Sequence, residues 1–411
     1  MNNSLQSYEP IVGASVLRQL HQLAAGLSGC RVVHVNSTAR GGGVAEILSW
    51  MVPLMKDLGI DASWEVIRGD APFFKVTKAM HNGLQGQPVE LSERDTRKYL
   101  GTNEENAEEL REKLEEADFV FIHDPQPAFL LRLCPGRKGK WVWRCHIDLS
   151  HPYRPVWKFL RRLVEPYDAS IFSMTEFSQV LPHPQFIIRP SIDPSNDTNR
   201  DLDPQEVDSI VAGYGVDRNR PLLVQISRFD RFKDPVGVIR MFHMVSKVAP
   251  VQLVLAGGGA TDDPEGEAVY EEARAEANDH PDIHVLQLPS DAHTTVNALQ
   301  RAAEIVLQKS TREGFGLTVA EGLWKGKPVI GGDTGGIRVQ VHNYHTGFLV
   351  NTAEGAAHRI RYLLRNRKLM REMGAKGREF VRENFLLTRH LREYLTLMHG
   401  LRKELGKELL V

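Results

Sequence analysis

Short apolar runs alternate with stretches of helical periodicity along this chain, and the alternation occurs twice. Apolar runs of strand length separated by helical patterns read as buried strands of parallel sheets, because each parallel connection needs a crossover helix. In the first half the runs place strands at 31–36, 62–67, 119–123, 141–146, 169–173 and 186–189, with helices at 44–58, 104–116 and 156–163. In the second half strands are expected at 222–227, 252–256, 283–286, 305–308, 328–331 and 347–350, with helices at 236–248, 294–302 and 316–325. Between the halves lies RPSIDPSNDTNRDLDP, residues 189–204, whose turn-forming composition marks a domain boundary. A length of 411 residues also exceeds one ordinary core. The fold class expected is α/β, with two Rossmann-like parallel-sheet domains.

The formal net charge is −1, from 51 basic and 52 acidic residues, so no global field exists to hold nucleic acid or an anionic membrane. Cys30, Cys134 and Cys145 have neither disulfide-framework nor zinc spacing. Residues 1–29 lack the basic-then-apolar layout of a signal peptide, and no apolar run has the length of a bilayer span. The expectation is a cytoplasmic protein without membrane or nucleic-acid partners. Asp201-Leu202-Asp203 has the spacing of a metal-binding D-x-D, yet Asp203 directly precedes Pro204. A helix cap with proline at the first helical position accounts for it, and no metal or other cofactor is called for.

Three segments carry chemistry. The first strand runs through Asn36 into Gly41-Gly42-Gly43 and then a helix, which lets backbone amides and a helix N-terminus approach an anion. Arg228 and Lys233 follow the strand at 222–227, where side chains of open α/β sheets reach the ligand crevice. Arginine can grip a diphosphate bidentately and lysine adds a compact charge. Glu313 and Glu321 flank Gly314-Phe315-Gly316 at a strand-to-helix turn, a spacing suited to holding the hydroxyls of a sugar and a ribose.

These segments, with Lys327-Pro328-Val329-Ile330-Gly331-Gly332-Asp333-Thr334-Gly335-Gly336-Ile337, resemble the retaining glycosyltransferase family 4, of GT-B fold. His34-Val35-Asn36-Ser37-Thr38, the segment 76–86, His123-Asp124-Pro125-Gln126-Pro127 and Trp143-Arg144-Cys145-His146-Ile147-Asp148 bring it nearest to the branch of trehalose glycosyltransferring synthases. The resemblance implies two domains facing across a cleft, spanning 1–190 with 388–411 and 191–387, the C-terminal helix crossing back to the first. It implies transfer of glucose from a nucleoside diphosphate glucose (UDP-, ADP- or GDP-) to glucose, giving α,α-1,1 trehalose with retention. A phosphate-using trehalose phosphorylase, or a family 4 transferase with another acceptor, are the alternatives.

Residue by residue, the resemblance places Arg228 and Lys233 on the diphosphate, with Gly42 and Gly43 near the distal phosphate and the transferred sugar. It places Glu313 on the sugar's 3- and 4-hydroxyls, with the amides of Gly314, Phe315 and Gly316. Glu321 is expected on the ribose and His146 on the sugar's 6-hydroxyl. Asn36, His81, Asn82, His123, Asp124 and Asp148 are expected on the acceptor side. A homodimer is compatible with this reading.

Overall fold

The computed structural model describes residues 4–39, 43–258 and 264–402. The chain divides into two compact units, Met1–Pro190 with Leu387–Val411 and Ser191–Leu386. Each is built on a six-stranded, wholly parallel sheet.

The first sheet comprises β1 (Arg31–Asn36), β2 (Asp61–Val66), β3 (Phe119–His123), β4 (Lys140–Arg144), β5 (Ala169–Phe172) and β6 (Gln185–Ile187), in the order β2-β1-β3-β4-β5-β6. Its helices are α1 (Ala14–Ala25), α2 (Gly43–Asp57), α3 (Ala71–Leu84), α4 (Glu93–Glu116), α5 (Arg154–Val164) and, at the end of the chain, α13 (Leu387–Arg402). The second sheet comprises β7 (Leu222–Ile226), β8 (Gln252–Gly258), β9 (Ile283–Leu288), β10 (Ile305–Gln308), β11 (Val329–Gly332) and β12 (Gly347–Val350), in the order β12-β11-β10-β7-β8-β9. With it come α6 (Pro204–Ala212), α7 (Pro235–Ser246), α8 (Pro264–Ala277), α9 (His293–Ala302), α10 (Leu317–Trp324), α11 (Ala353–Arg365) and α12 (Arg367–Asn384).

Strands β3, β5, β7, β10 and β11 are buried at every residue, as strands covered on both faces must be. Leu387, Leu391, Tyr394, Leu395 and Met398 of α13 join the first unit's core with Leu20, Leu48, Met51 and Phe121. The strand order of each sheet reverses once, between β1 and β3 in the first and between β7 and β10 in the second. Open α/β sheets bind ligands beyond the strand ends at such reversals.

Several helices depart from expectation for identifiable reasons. The helix expected at 104–116 begins at Glu93, because Ser92 and Asp95 form a reciprocal capping box and Gly101 is carried inside the helix. Helix α3 starts on Asp70, which accepts from the Phe73 amide. Helix α1, with Leu17, Leu20 and Ala24 buried on one face, lies ahead of the first strand where no element was expected. The fourth strand stops at Arg144, so Cys145 and His146 sit beyond its end.

Candidate active site

In the second unit the reversal point is occupied by a knot of side chains from β7, β10 and the loops that follow them. Lys233 Nζ donates to Glu313 Oε2 at 2.6 Å, and both side chains are largely buried, at 15% and 10% exposure. The same Glu313 oxygen accepts from Gln308 Nε2 at 3.2 Å and Ser310 Oγ at 3.1 Å. Three hydrogen-bond donors thus fix one carboxylate oxygen. Lys233 is held in turn: Gln225 Nε2 donates to its carbonyl at 2.9 Å, while Gln225 Oε1 accepts from the Lys309 amide at 3.0 Å. Lys309 Nζ pairs with Asp234, the left-handed residue (φ +50°) that caps α7 through the Gly237 amide. Gln225, Gln308, Lys309 and Ser310 were missed by sequence reasoning, although they lie at the same strand ends as the motifs that were read.

Arg228 stands apart from this knot. It is half exposed, and among the described residues its carboxylate contact is Asp230 at 3.4 Å. A guanidinium so weakly engaged keeps its hydrogen-bond donors available for an anion.

The Gly314-Phe315-Gly316 turn enters α10, with Gly316 at φ +80° in the N-cap position. Here backbone amides lack partners in the helix and the dipole favours negative charge. Gln340 Nε2 donates to the Phe315 carbonyl at 2.6 Å, and the Phe315 ring packs edge-on against Phe385. The tight approach of Gly335 and Gly336 is obligatory: a Cβ at Gly335 would lie 1.7 Å from the Glu313 carbonyl, and one at Gly336 2.3 Å from Phe315 Cα. Glu321 lies one turn into α10, buried, with Gln300 Nε2 donating to Oε2 at 3.3 Å. Burial raises its carboxyl above the usual range, opposed by Lys325 and Gln300.

In the first unit the ends of β1, β3 and β4 bring together His34, His123, Asp124 and His146. Asp124 is partly exposed, adopts a left-handed backbone (φ +63°) and accepts the His146 amide at 2.7 Å. Burial pushes its carboxyl up to about 7, against the pull of that amide and of Arg144. Burial likewise holds His146 and His123 well below the ordinary histidine range, with neighbouring Arg144 adding to the effect. Arg144 is wholly buried, and Ser173 Oγ accepts from one of its terminal nitrogens at 3.2 Å.

The structure places the remaining expected residues as follows. His123 is buried at 2% exposure, with each ring nitrogen 3.0 Å from another histidine. Asn36 is buried, accepting from Trp64 Nε1 at 2.8 Å and donating to the Thr38 carbonyl at 2.8 Å. Asp148 is buried and accepts the Ser150 amide at 2.9 Å. His81 and Asn82 occupy the last turn of α3, where their carbonyls accept the amides of Gln85 and Gln87. Gly43 opens α2, whereas Gly41 and Gly42 lie outside the described residues. The D-x-D has structural employment: Asp203 caps α6 through the Gln205 amide, and Asp201 pairs with Arg301.

Comparison with known proteins agrees with this layout. Residues 34–179 match the model described as trehalose synthase, N-terminal domain, and residues 207–380 match glycosyl transferases group 1. A trehalose synthase of Pyrococcus horikoshii is 44% identical over 402 residues, which cover 97% of this chain and 96% of that protein. The chain belongs to the trehalose synthase family of glycosyltransferases. A trehalose phosphorylase of Pleurotus pulmonarius is more distant than that synthase, 29% identical over 86% of this chain and 55% of its own length. Among solved structures, a sucrose-phosphate synthase from Thermosynechococcus elongatus superposes with a TM-score of 0.72 at 16% identity, covering 91% of this chain and all of that one. At that identity the likeness speaks for the fold, which is the GT-B architecture of this family. Among the described residues no helix is long and apolar enough to cross a membrane.

Proposed function

We propose that this member of the trehalose synthase family transfers glucose from a nucleoside diphosphate glucose to free glucose, with retention, forming α,α-1,1 trehalose. The observation that carries the reading is the Lys233–Glu313 pair, braced by Gln308 and Ser310 at a glycine turn that opens a helix. In this reading Lys233 and Arg228 neutralise the departing diphosphate, and the amides at the start of α10 add fixed dipoles. Glu313 holds the hydroxyls of the transferred sugar and Glu321 holds the ribose. Preorganised charge of this kind is worth most where water is excluded.

A double displacement needs a carboxylate nucleophile close to the anomeric carbon. Glu313 has one oxygen committed to three hydrogen-bond donors and is assigned to hydroxyls, so departure and attack on one face of the sugar is preferred. The leaving phosphate then accepts the proton of the acceptor hydroxyl. On the acceptor side, Asp124 and His146 are polar groups with partial exposure just beyond β3 and β4.

The test is incubation with UDP-, ADP- and GDP-glucose and carbon-13-labelled glucose, with NMR of the product. One labelled ring in an α,α-1,1 linkage is expected. Trehalose turnover that depends on inorganic phosphate and not on a nucleotide would favour the phosphorylase reading instead.

A further inference from the structure

His34, His123 and His146 form an unbroken line of imidazoles that the transfer chemistry does not itself require. His34 Nδ1 lies 3.0 Å from His123 Nε2, and His123 Nδ1 lies 3.0 Å from His146 Nε2. The far nitrogen of His34, Nε2, is buried and has no hydrogen-bond partner among the described residues. Phe121 stacks on the His34 ring at 4.8 Å, and Tyr394 of α13 tilts against it at 5.9 Å.

Counting protons along the line restricts it sharply. Burial pushes His34 down to about 3 and holds the other two well below their ordinary range, so all three rings are neutral near pH 7. A neutral imidazole has one N–H and one lone pair, and each N···N contact needs one of each. Three rings then permit two arrangements, every proton on Nδ1 or every proton on Nε2. The second strands an N–H at His34 Nε2 with no acceptor, whereas the first leaves a lone pair there. Orphaned N–H groups are the rarer and more unfavourable of the two in protein interiors.

We propose that the line is polarised in the first sense, with His34 and His123 acting as positioning residues that hold His146 as an Nδ1–H hydrogen-bond donor. The one spare lone pair of the line is then His34 Nε2, closed to water. His146, which is partly exposed, takes up no proton unless the whole line reverses. It therefore meets its ligand as a permanent uncharged hydrogen-bond donor, matched to a hydroxyl oxygen that accepts. The functional meaning rests on the reading of His146 as a sugar contact, while the proton arrangement does not.

The charged and titratable groups around the line act in the same direction or on a separate atom. Arg144 faces His123 and His146, and His390 of α13 faces His34, His123 and His146, with Arg389 behind it. The arginine charges oppose protonation of the rings, and His390, itself held below its ordinary range, supplies no counter-charge that would favour it. Asp124 reaches His146 through the backbone amide.

The experiment is long-range proton–nitrogen NMR of the full chain labelled at the histidine ring nitrogens, from pH 8 to pH 5. The wild type is expected to show Nδ1–H at all three positions, with flat ring shifts. His123→Leu frees His146 Nε2, and the His146 ring then titrates toward the ordinary histidine midpoint of about 6.5. His123→Asn, whose amide N–H can stand where Nδ1–H stood, restores the flat behaviour. Titration of Asp124 moves the His146 backbone amide in every variant and leaves its ring unmoved. The proposal is overturned by an Nε2–H signature at His146 in the wild type, by an ordinary ring titration there, or by a flat ring in folded His123→Leu. Should His123→Leu not fold, the wild-type spectrum decides alone. Absence of glucosyl transfer would refute the functional reading and leave the spectrum standing, so the two failures are distinct.

Discussion

Lys233 and Glu313 are 80 residues apart in sequence and 2.6 Å apart in space, joined across the one reversal of the second sheet. Under the proposed function the pair serves both catalysis and stability. Lys233→Ala is expected to lower turnover by about a hundredfold to a thousandfold, the usual effect of removing one preorganised stabiliser. It also leaves Glu313 as a mostly buried, unpaired carboxylate, which is expected to destabilise by about 3 kcal/mol. Adding Glu313→Gln should recover most of the lost stability and none of the rate, as read by thermal melts and steady-state kinetics.

Arg228 should behave oppositely. Its side chain is 54% exposed and its contact with Asp230 is long, so Arg228→Ala is expected to change stability by less than about 0.5 kcal/mol. Turnover should nevertheless fall by about a hundredfold. A melt unchanged beside crippled kinetics is the expected pair of results.

Gly335→Ala tests whether the glycine run holds Glu313 in place. The residue has φ +43°, and an added Cβ would overlap the Glu313 carbonyl. A loss of at least about 2 kcal/mol in stability is expected, with activity lost in whatever fraction folds.

The buried histidines predict acid instability. His34, His123, His146 and His390 all have depressed folded values, with burial the first cause of each. Below the unfolded value of about 6.5 the unfolded chain binds protons that the folded one refuses, so stability is present above that pH and falls as pH drops below it. Calorimetry between pH 8 and pH 5 should show a steep fall in Tm, reduced in His34→Phe relative to its own value at pH 8.

Asp124 has the reverse sign. Its folded carboxyl is raised to about 7, so between about 4 and 7 the unfolded chain loses a proton that the folded one keeps, and stability falls as pH rises. Asp124→Asn, which can still accept the His146 amide, should raise stability by about 1–3 kcal/mol at pH 8, with the gain fading below pH 4. Chemical denaturation at the two pH values measures it.

The strands were legible because parallel, doubly covered strands are continuous apolar runs, and all twelve lie within a few residues of where the runs fall. Helix starts were less legible, since a cap such as Ser92 with Asp95 declares itself only when both hydrogen bonds form. At the site, the charged loop residues could be named, but their partners could not. Asp230 and Asp234 are the acids nearest the basic pair in sequence, and Arg228 does reach Asp230, whereas Lys233 turns to Glu313 and Asp234 to Lys309. Nor does spacing reveal that His34 and His123 share a contact, because that depends on β1 and β3 being adjacent in the sheet.

The most direct test of the account is a crystal structure with a nucleoside diphosphate glucose bound. The account places the diphosphate within hydrogen-bonding reach of Lys233 Nζ and the Arg228 guanidinium, with Glu313 against the sugar hydroxyls and Glu321 against the ribose. A diphosphate bound away from Lys233 and Arg228, with Glu313 touching no part of the sugar, would contradict it.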